Sequence, residues 1–292
     1  MRNAIADIIK ETAKIDPRLF LVAGDAGLGL WDDFKINFKE QYLNTGINES
    51  ASIGFCSGLA LSGKKPIYYN IAPFTLFRPY EQVRNDICYQ DLPVILIGIG
   101  SGLTYAPAGV THYSIEDIAV ALTIPNLQIF SPCDAIETKA SFLYAYNSGK
   151  PSYIRIPKNG DPIFHKNDII DITIPQKIVD NNSEILLITH SNILCEVVKA
   201  STNLDADVYT IPFINSGYDL SILLDKYKYI FVIEESFENG SLGSYINDRY
   251  DYKIHKIGIK NHFIHRIGYQ YYLREIFNLN CENLELIIKK IL

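Results

Sequence analysis

The stretch from Asn44 to Tyr80, NTGINESASIGFCSGLALSGKKPIYYNIAPFTLFRPY, decides how this chain is read. At its centre is one acid, Glu49, followed by Ser50, Ala51, Ser52, Gly54, Ser57, Gly58 and Ala60, side chains small enough to let a helix lie close against another backbone. A short apolar run comes next, and then three aromatics spaced three apart, Phe74, Phe77 and Tyr80. A carboxyl on a tightly packed helix and a wall of rings one strand later supply one hydrogen-bond partner and one stacking surface, which is what a flat heteroaromatic ligand needs. A plainer reading makes Glu49 an N-terminal acid favoured by the helix dipole and the three rings ordinary core. The residue types alone leave both readings standing.

Outward from this stretch the pattern alternates. Ala4, Ile5, Ile8, Ile9 and Ala13 recur at helical spacing, and LFLVAGD reads as a buried strand ending in a turn. Further helices are expected near Trp31–Phe38, from Glu49, over about Thr75–Tyr89, after Ser114 and from Asp134. Strands are expected at Tyr42–Leu43, Pro66–Tyr69, Val94–Gly98, Leu127–Phe130 and Ser152–Ile156. Short continuous apolar strands separated by helices describe an α/β fold, a doubly wound, mostly parallel sheet covered on both faces. Ligands of such sheets gather at the carboxyl ends of the strands, where Asp25, Gly46, Pro73 and Gly100 fall. Between about Asn159 and Asn182 Pro, Asn and Asp punctuate the chain. Beyond it EILLITHS, ADVYTI, YIFVIEE and YKIHKIG read as strands of a second α/β unit. The expected division is 1–160, a linker over 161–180, and 181–292.

Composition narrows the function. A chain of 292 residues with 48% hydrophobic content can bury two ordinary cores. A net charge of −6 without a basic block argues against nucleic acid and anionic membrane surfaces. The five cysteines are scattered and form no CxxC pair, so neither a disulfide framework nor a zinc site is suggested. The first residues carry charges throughout their apolar period and read as a domain helix, not a signal peptide. No apolar run reaches the ~18 residues of a membrane span, and a cytoplasmic protein is expected. His262 and His265 form an HxxH without a nearby third ligand, a solvated turn by this reading. Tyr269, Tyr271 and Tyr272 read as packing or a contact between subunits.

The run from Gly46 to Val94, with GVTHYSIEDIA (Gly109 to Ala119), IPNLQIFSPCD (Ile124 to Asp134) and PSYIRIP (Pro151 to Pro157), resembles the pyrimidine-binding domain of transketolases. It is most similar to the separately encoded C-terminal subunits of split transketolases, and GSLGS (Gly240 to Ser244) is similar to a turn of the transketolase C-terminal domain. The resemblance implies thiamine diphosphate as cofactor. Glu49 would hydrogen-bond the aminopyrimidine ring nitrogen, and Phe74, Phe77 and Tyr80 would enclose the ring. His112, in GVTHYSIED, would line the substrate channel and assist proton movements. Arg155, in YIRIP, would bind the phosphate end of a sugar phosphate, a role suited to its donor fork, although a structural arginine on the strand is an equal reading. Asp25 would be an acid near the cofactor. Glu234 and Glu235 resemble an acidic pair of the C-terminal domain and carry no catalytic assignment.

The departures matter too. Ala108 stands where many full-length relatives carry an aspartate, and no histidine lies near Gly100, which points to an unusual or differently held acceptor. The motif that holds Mg²⁺ and the diphosphate in this family is imitated by Gly24, Asp25, Ala26 and Asn44 but lacks its last glycine. The resemblance therefore implies a partner, the N-terminal transketolase subunit, that brings the metal and diphosphate ligands, in an α2β2 heterotetramer acting on sugars or sugar phosphates. Rival readings are the β subunit of a 2-oxoacid dehydrogenase decarboxylating component and a non-catalytic scaffold of the same fold.

Overall fold

The apolar runs become strands because their side chains are buried on both sides by helices, which removes the need for polar alternation. The computed structural model describes residues 1–158 and 162–292. The first six strands are β1 (Leu19–Gly24), β2 (Tyr42–Gly46), β3 (Lys65–Ile71), β4 (Ile95–Ile99), β5 (Gln128–Phe130) and β6 (Ser152–Ile156). They form one sheet in the order β2-β1-β3-β4-β6-β5, every pair parallel. A second sheet holds β7 (Gln176–Val179), β8 (Ile185–Thr189), β9 (Asp207–Thr210), β10 (Tyr229–Phe237) and β11 (Ile254–Ile259) in the order β11-β10-β8-β9-β7. It is parallel except at its edge, where β7 runs against β9. The α/β class expected from the sequence is the one observed. The 160/161 boundary lies outside the described residues. Within the expected linker, 162–175 holds neither helix nor strand, while β7 already belongs to the second sheet.

One expected element is broken. The stretch Thr75–Tyr89 is not a single helix: Ala72–Leu76 and Tyr80–Gln82 are separate α-helical pieces, and Val83–Cys88 is wound wider as a π-helix. Pro79 lies between the two pieces, and a proline there has no N–H to continue the ladder. The winding is already loose at Arg78, whose N–H donates to the Pro73 carbonyl five residues back at 3.3 Å, and it is loose again where Tyr89 donates to Arg84 at 2.8 Å. The wider turn packs against the helix Glu49–Leu61, where the Ser57 hydroxyl donates to the Asp86 carbonyl at 3.0 Å. The small residues seen in the sequence permit that approach.

The two sheets meet across a joint that is polar at its centre. Ser131, just beyond β5, donates its N–H to the Pro212 carbonyl at 2.7 Å, and Phe130 lies against Phe213 with ring centroids 4.3 Å apart. The Ser131 hydroxyl is 2.9 Å from His190 Nδ1, and His190 Nε2 is 3.2 Å from Glu234 Oε2. Glu234 in turn accepts the N–H groups of Leu242 and Gly243, both at 2.8 Å, and so caps the helix Leu242–Asn247 that begins within GSLGS. Glu235 reaches the other way and accepts the Leu103 N–H at 2.6 Å. It passes so close to Gly102 that a Cβ there would lie 2.4 Å from Oε1, and Gly102 has φ +61°, so that position is restricted to glycine twice over.

Candidate functional site

Loops from the carboxyl ends of β2, β3 and β4 converge at the edge of the first sheet. β2 ends at Gly46, φ +65°, and the chain turns into the helix Glu49–Leu61. The buried face of this helix is Glu49, Ser52, Ile53, Cys56, Ser57 and Ala60, at helical spacing. Glu49 therefore stands at the helix N-terminus, where the dipole favours a carboxylate, and only 8% of it is exposed. The first turn is pinned by Ser52, whose Oγ is 2.6 Å from the Asn48 carbonyl and 2.7 Å from Thr45 Oγ1.

β3 runs directly into Ala72–Leu76, which presents Phe74. Arg78, four residues on, donates from Nη1 to Glu49 Oε1 at 2.7 Å and lays its guanidinium 3.7 Å from the centre of the Phe74 ring. The other edge of Phe74 meets His112, ring centroids 5.1 Å apart and nearly perpendicular. Glu49, Arg78, Phe74 and His112 thus form one contiguous chain of contacts. Sequence reasoning misses Arg78, whose one signal is a cation inside an aromatic stripe.

His112 sits on the loop from Gly100 to Ser114, whose stem is closed by paired hydrogen bonds between Gly102 and Ser114 at 2.8 and 2.9 Å. Its Nδ1 is 2.7 Å from the Thr111 hydroxyl. Burial, and then the charge of Arg78, push its pKa below the ordinary histidine value. It is therefore a neutral imidazole at pH 7, able to accept a proton or a hydrogen bond. Beside Gly100, where no histidine is present, the Tyr105 ring fills the space: a Cβ on Gly100 would fall 2.0 Å from it. Tyr105 lies 6.3 Å from the His112 ring, and the Lys158 ammonium is over its face at 4.6 Å.

The other expected residues are placed as follows. Phe77 and Tyr80 are half-buried and pack against the core beneath the Glu49 helix, and the Tyr80 hydroxyl is 2.7 Å from Thr123 Oγ1. Asp25 is exposed in the turn after β1. Asn44 spends its side chain locally, accepting the Gly46 N–H at 2.8 Å. Arg155 is brought to a different place. Only 1% exposed, it binds Asp117 through Nε at 2.7 Å, the Ser131 hydroxyl at 3.1 Å and the Ser114 carbonyl at 3.1 Å. In this arrangement the guanidinium is committed to the joint between the sheets and has no face open to a phosphate. Among the described residues no helix is long and apolar enough to cross a membrane.

Comparison with known proteins identifies the family. Residues 1–160 match the family described as transketolase, pyrimidine binding domain. The chain is 33% identical over 217 residues to an apulose-4-phosphate transketolase subunit from Actinobacillus succinogenes, an alignment covering 72% of this chain and 70% of that protein. To the protein of the same name from Phocaeicola vulgatus it is 33% identical over 174 residues, 59% of this chain and 56% of that one. In fold it is similar to a split-gene transketolase solved as an inactive β4 tetramer, with a TM-score of 0.87 over 99% of this chain and 97% of that one at 24% identity.

Proposed function

Because the chain belongs to the family that carries the transketolase pyrimidine-binding domain, we propose that it is the pyrimidine-binding half of a split, transketolase-like enzyme that transfers a two-carbon ketol unit from a ketose to an aldose. The observation that carries this reading is Glu49, a carboxyl withdrawn from water at a helix N-terminus and joined through Arg78 to Phe74 and, through that ring, to His112.

The cofactor this family implies is thiamine diphosphate, and the residues fit its aminopyrimidine end. Glu49 offers a nearly dry carboxyl to the ring nitrogen, and Phe74 offers a face now covered by an arginine whose side chain is itself 46% exposed and free to swing into water. Bound there, thiamine diphosphate supplies the nucleophilic thiazolium carbon on which ketol transfer depends. The chain's own residues do the rest of the work on this side. Glu49 fixes the orientation of the pyrimidine and holds a proton at its nitrogen. Phe74, with Phe77 and Tyr80 behind it, keeps water away from that bond. His112 in its neutral form takes up and returns the protons of substrate hydroxyls. Mg²⁺ and the diphosphate are assigned to a separate partner chain carrying the diphosphate-binding domain, with the site at the shared face.

For the phosphate end of a substrate the geometry favours Lys158, exposed beside Tyr105 on the His112 side, over the enclosed Arg155. Two similar proteins are named for apulose 4-phosphate, which makes that ketose phosphate the first donor to try. The test is to purify the chain with a diphosphate-domain partner, add thiamine diphosphate and Mg²⁺, and compare ketol transfer with pyruvate decarboxylation. Ketol transfer that depends on both chains supports the reading. Decarboxylation without transfer, or neither reaction from a complex that binds the cofactor, overturns it.

A further inference from the structure

Away from the Glu49 site, the start of the helix Ala135–Ser148 gathers a second group of reactive side chains. Cys133 and Glu137 are fully buried, and the His165 side chain is 7% exposed. One ligand atom from each, a thiol, a carboxylate oxygen and an imidazole nitrogen, lie within 4.8 Å of one another. The group joins three separate parts of the chain. Cys133 and Glu137 follow β5, His165 belongs to the stretch after β6, and the Thr210 hydroxyl of β9 donates to Glu137 Oε1.

The details are those of a prepared cation site. His165 Nδ1 is 2.8 Å from Asp134 Oδ2, which fixes the ring, and in the neutral ring that donates from Nδ1 the lone pair is on Nε2. Nε2 is buried, has no hydrogen-bond partner, and lies 3.5 Å from Glu137 Oε1. Ligand atoms held by a tetrahedral zinc ion at bond lengths of about 2.0–2.3 Å stand roughly 3.3–3.8 Å apart, so that pair is already at the required separation. Glu137 is held from its other side, where Oε2 accepts the Cys133 N–H at 2.7 Å. A cleft lined by Phe164, His165, Lys166, Asn167, Gln176 and Lys177 lies on the solvent side of this stretch. Asp134 is not a ligand, because Oδ2 also accepts the Phe164 and His165 N–H groups.

We propose that Cys133, Glu137 and His165 bind one divalent transition-metal ion of the zinc type, a structural clasp that ties the stretch after β6 to the joint between the sheets. Sulfur, imidazole and carboxylate together select zinc over magnesium or calcium, which prefer oxygen alone. Three protein ligands leave the fourth position to water. The sulfur binds as a thiolate, so the thiol proton leaves to solvent as the sulfur–metal bond forms. A rival occupant is a proton on Nε2, which would make His165 the cation between Asp134 and Glu137 and leave the thiol idle.

The experiment uses the full chain without a histidine tag, stripped with chelator and then loaded with zinc or cobalt(II) and passed over chelating resin. About one zinc per chain is expected, with a thiolate-to-cobalt charge-transfer band in the cobalt form. Cys133→Ser should abolish the band and weaken zinc binding at least tenfold, His165→Ala should weaken it similarly, and Cys281→Ser should change neither. Because the ligand variants could fail to fold, the wild-type spectrum decides by itself: folded wild-type protein that retains no metal and shows no thiolate band overturns the proposal. So does a band that survives Cys133→Ser.

Discussion

Arg78 and Glu49 are bonded at 2.7 Å, yet 46% of the arginine side chain remains in solvent while only 9% of the glutamate's does. The pair is therefore asymmetric. Losing it costs Arg78 little, because water replaces the carboxylate, and an amide at position 49 leaves no unpaired charge behind, so the loss stays near the roughly 0–1 kcal/mol of a solvent-screened pair. Replacing Glu49 by Gln should accordingly shift the stability of the chain by less than about 1 kcal/mol. If the carboxyl does the proton work proposed for it, ketol transfer by the reconstituted complex should fall by about 10²–10⁴-fold. Thermal melts and activity on the same preparation check both halves. Unchanged transfer would favour a scaffold.

The same arginine adds to the effect of burial on the titration of His112. Burial, then the Arg78 charge, lower its pKa. Its folded value therefore lies below the unfolded one, and the unfolded chain binds more protons in the window beneath about pH 6.5. The contribution of the neutral ring is complete above that window and declines as pH falls through it. In Arg78→Met the cation is gone, and the His112 pKa should rise. Nuclear magnetic resonance titration of the ring protons reads the shift directly, and an unmoved or lower value would show that the two groups do not communicate.

Phe74 contacts both partners, carrying Arg78 on its face and His112 at its edge. Phe74→Leu keeps the apolar volume but removes the ring. Stacking with a flat heterocycle is worth about 1–3 kcal/mol, so thiamine diphosphate should bind roughly 5- to 150-fold more weakly to the complex. Tyr80→Phe loses only the Thr123 contact and should bind the cofactor almost as the wild type does. Equal losses for the two variants would mean that the wall is not where the ring stacks.

For Arg155 the expected phenotype is structural. Its guanidinium and the Asp117 carboxylate are both out of contact with water, and removing one partner of such a pair costs about 3–5 kcal/mol because the other charge is left alone. Arg155→Met should melt far below the wild type or fail to accumulate. Lys158→Ala should fold normally and raise KM for a phosphorylated donor about tenfold, with kcat little changed. A folded Arg155→Met with a raised KM would reverse the two assignments.

Much of the fold was legible because parallel strands announce themselves as continuous apolar runs: LFLVAGD, PIYY and YIFVIEE need no tertiary information to be read as buried. That Glu49 and Phe74 each follow a strand end was legible, because the apolar runs of β2 and β3 stop just before them. What was not legible depends on contacts made through space. Whether Arg155 faces solvent or Asp117 is decided by two elements 38 residues apart. The partnership of Arg78 with Glu49 spans 29 residues. Cys133, Glu137 and His165 escape a search for metal spacing because two of them share a helix start and the third arrives from a stretch without regular structure. Pro79 was visible in the sequence, but a break into a wider π turn depends on the packing of Ser57 against Asp86.

The run of bonds from Asp117 through Arg155, Ser131 and His190 to Glu234 crosses from one sheet to the other with no water-exposed member. Directional contacts of this sort have teeth, unlike a greasy seam that tolerates slippage. A displacement of either half by a single residue would unmesh the whole row together, so failure at this joint should show as abrupt collapse and not as gradual loosening.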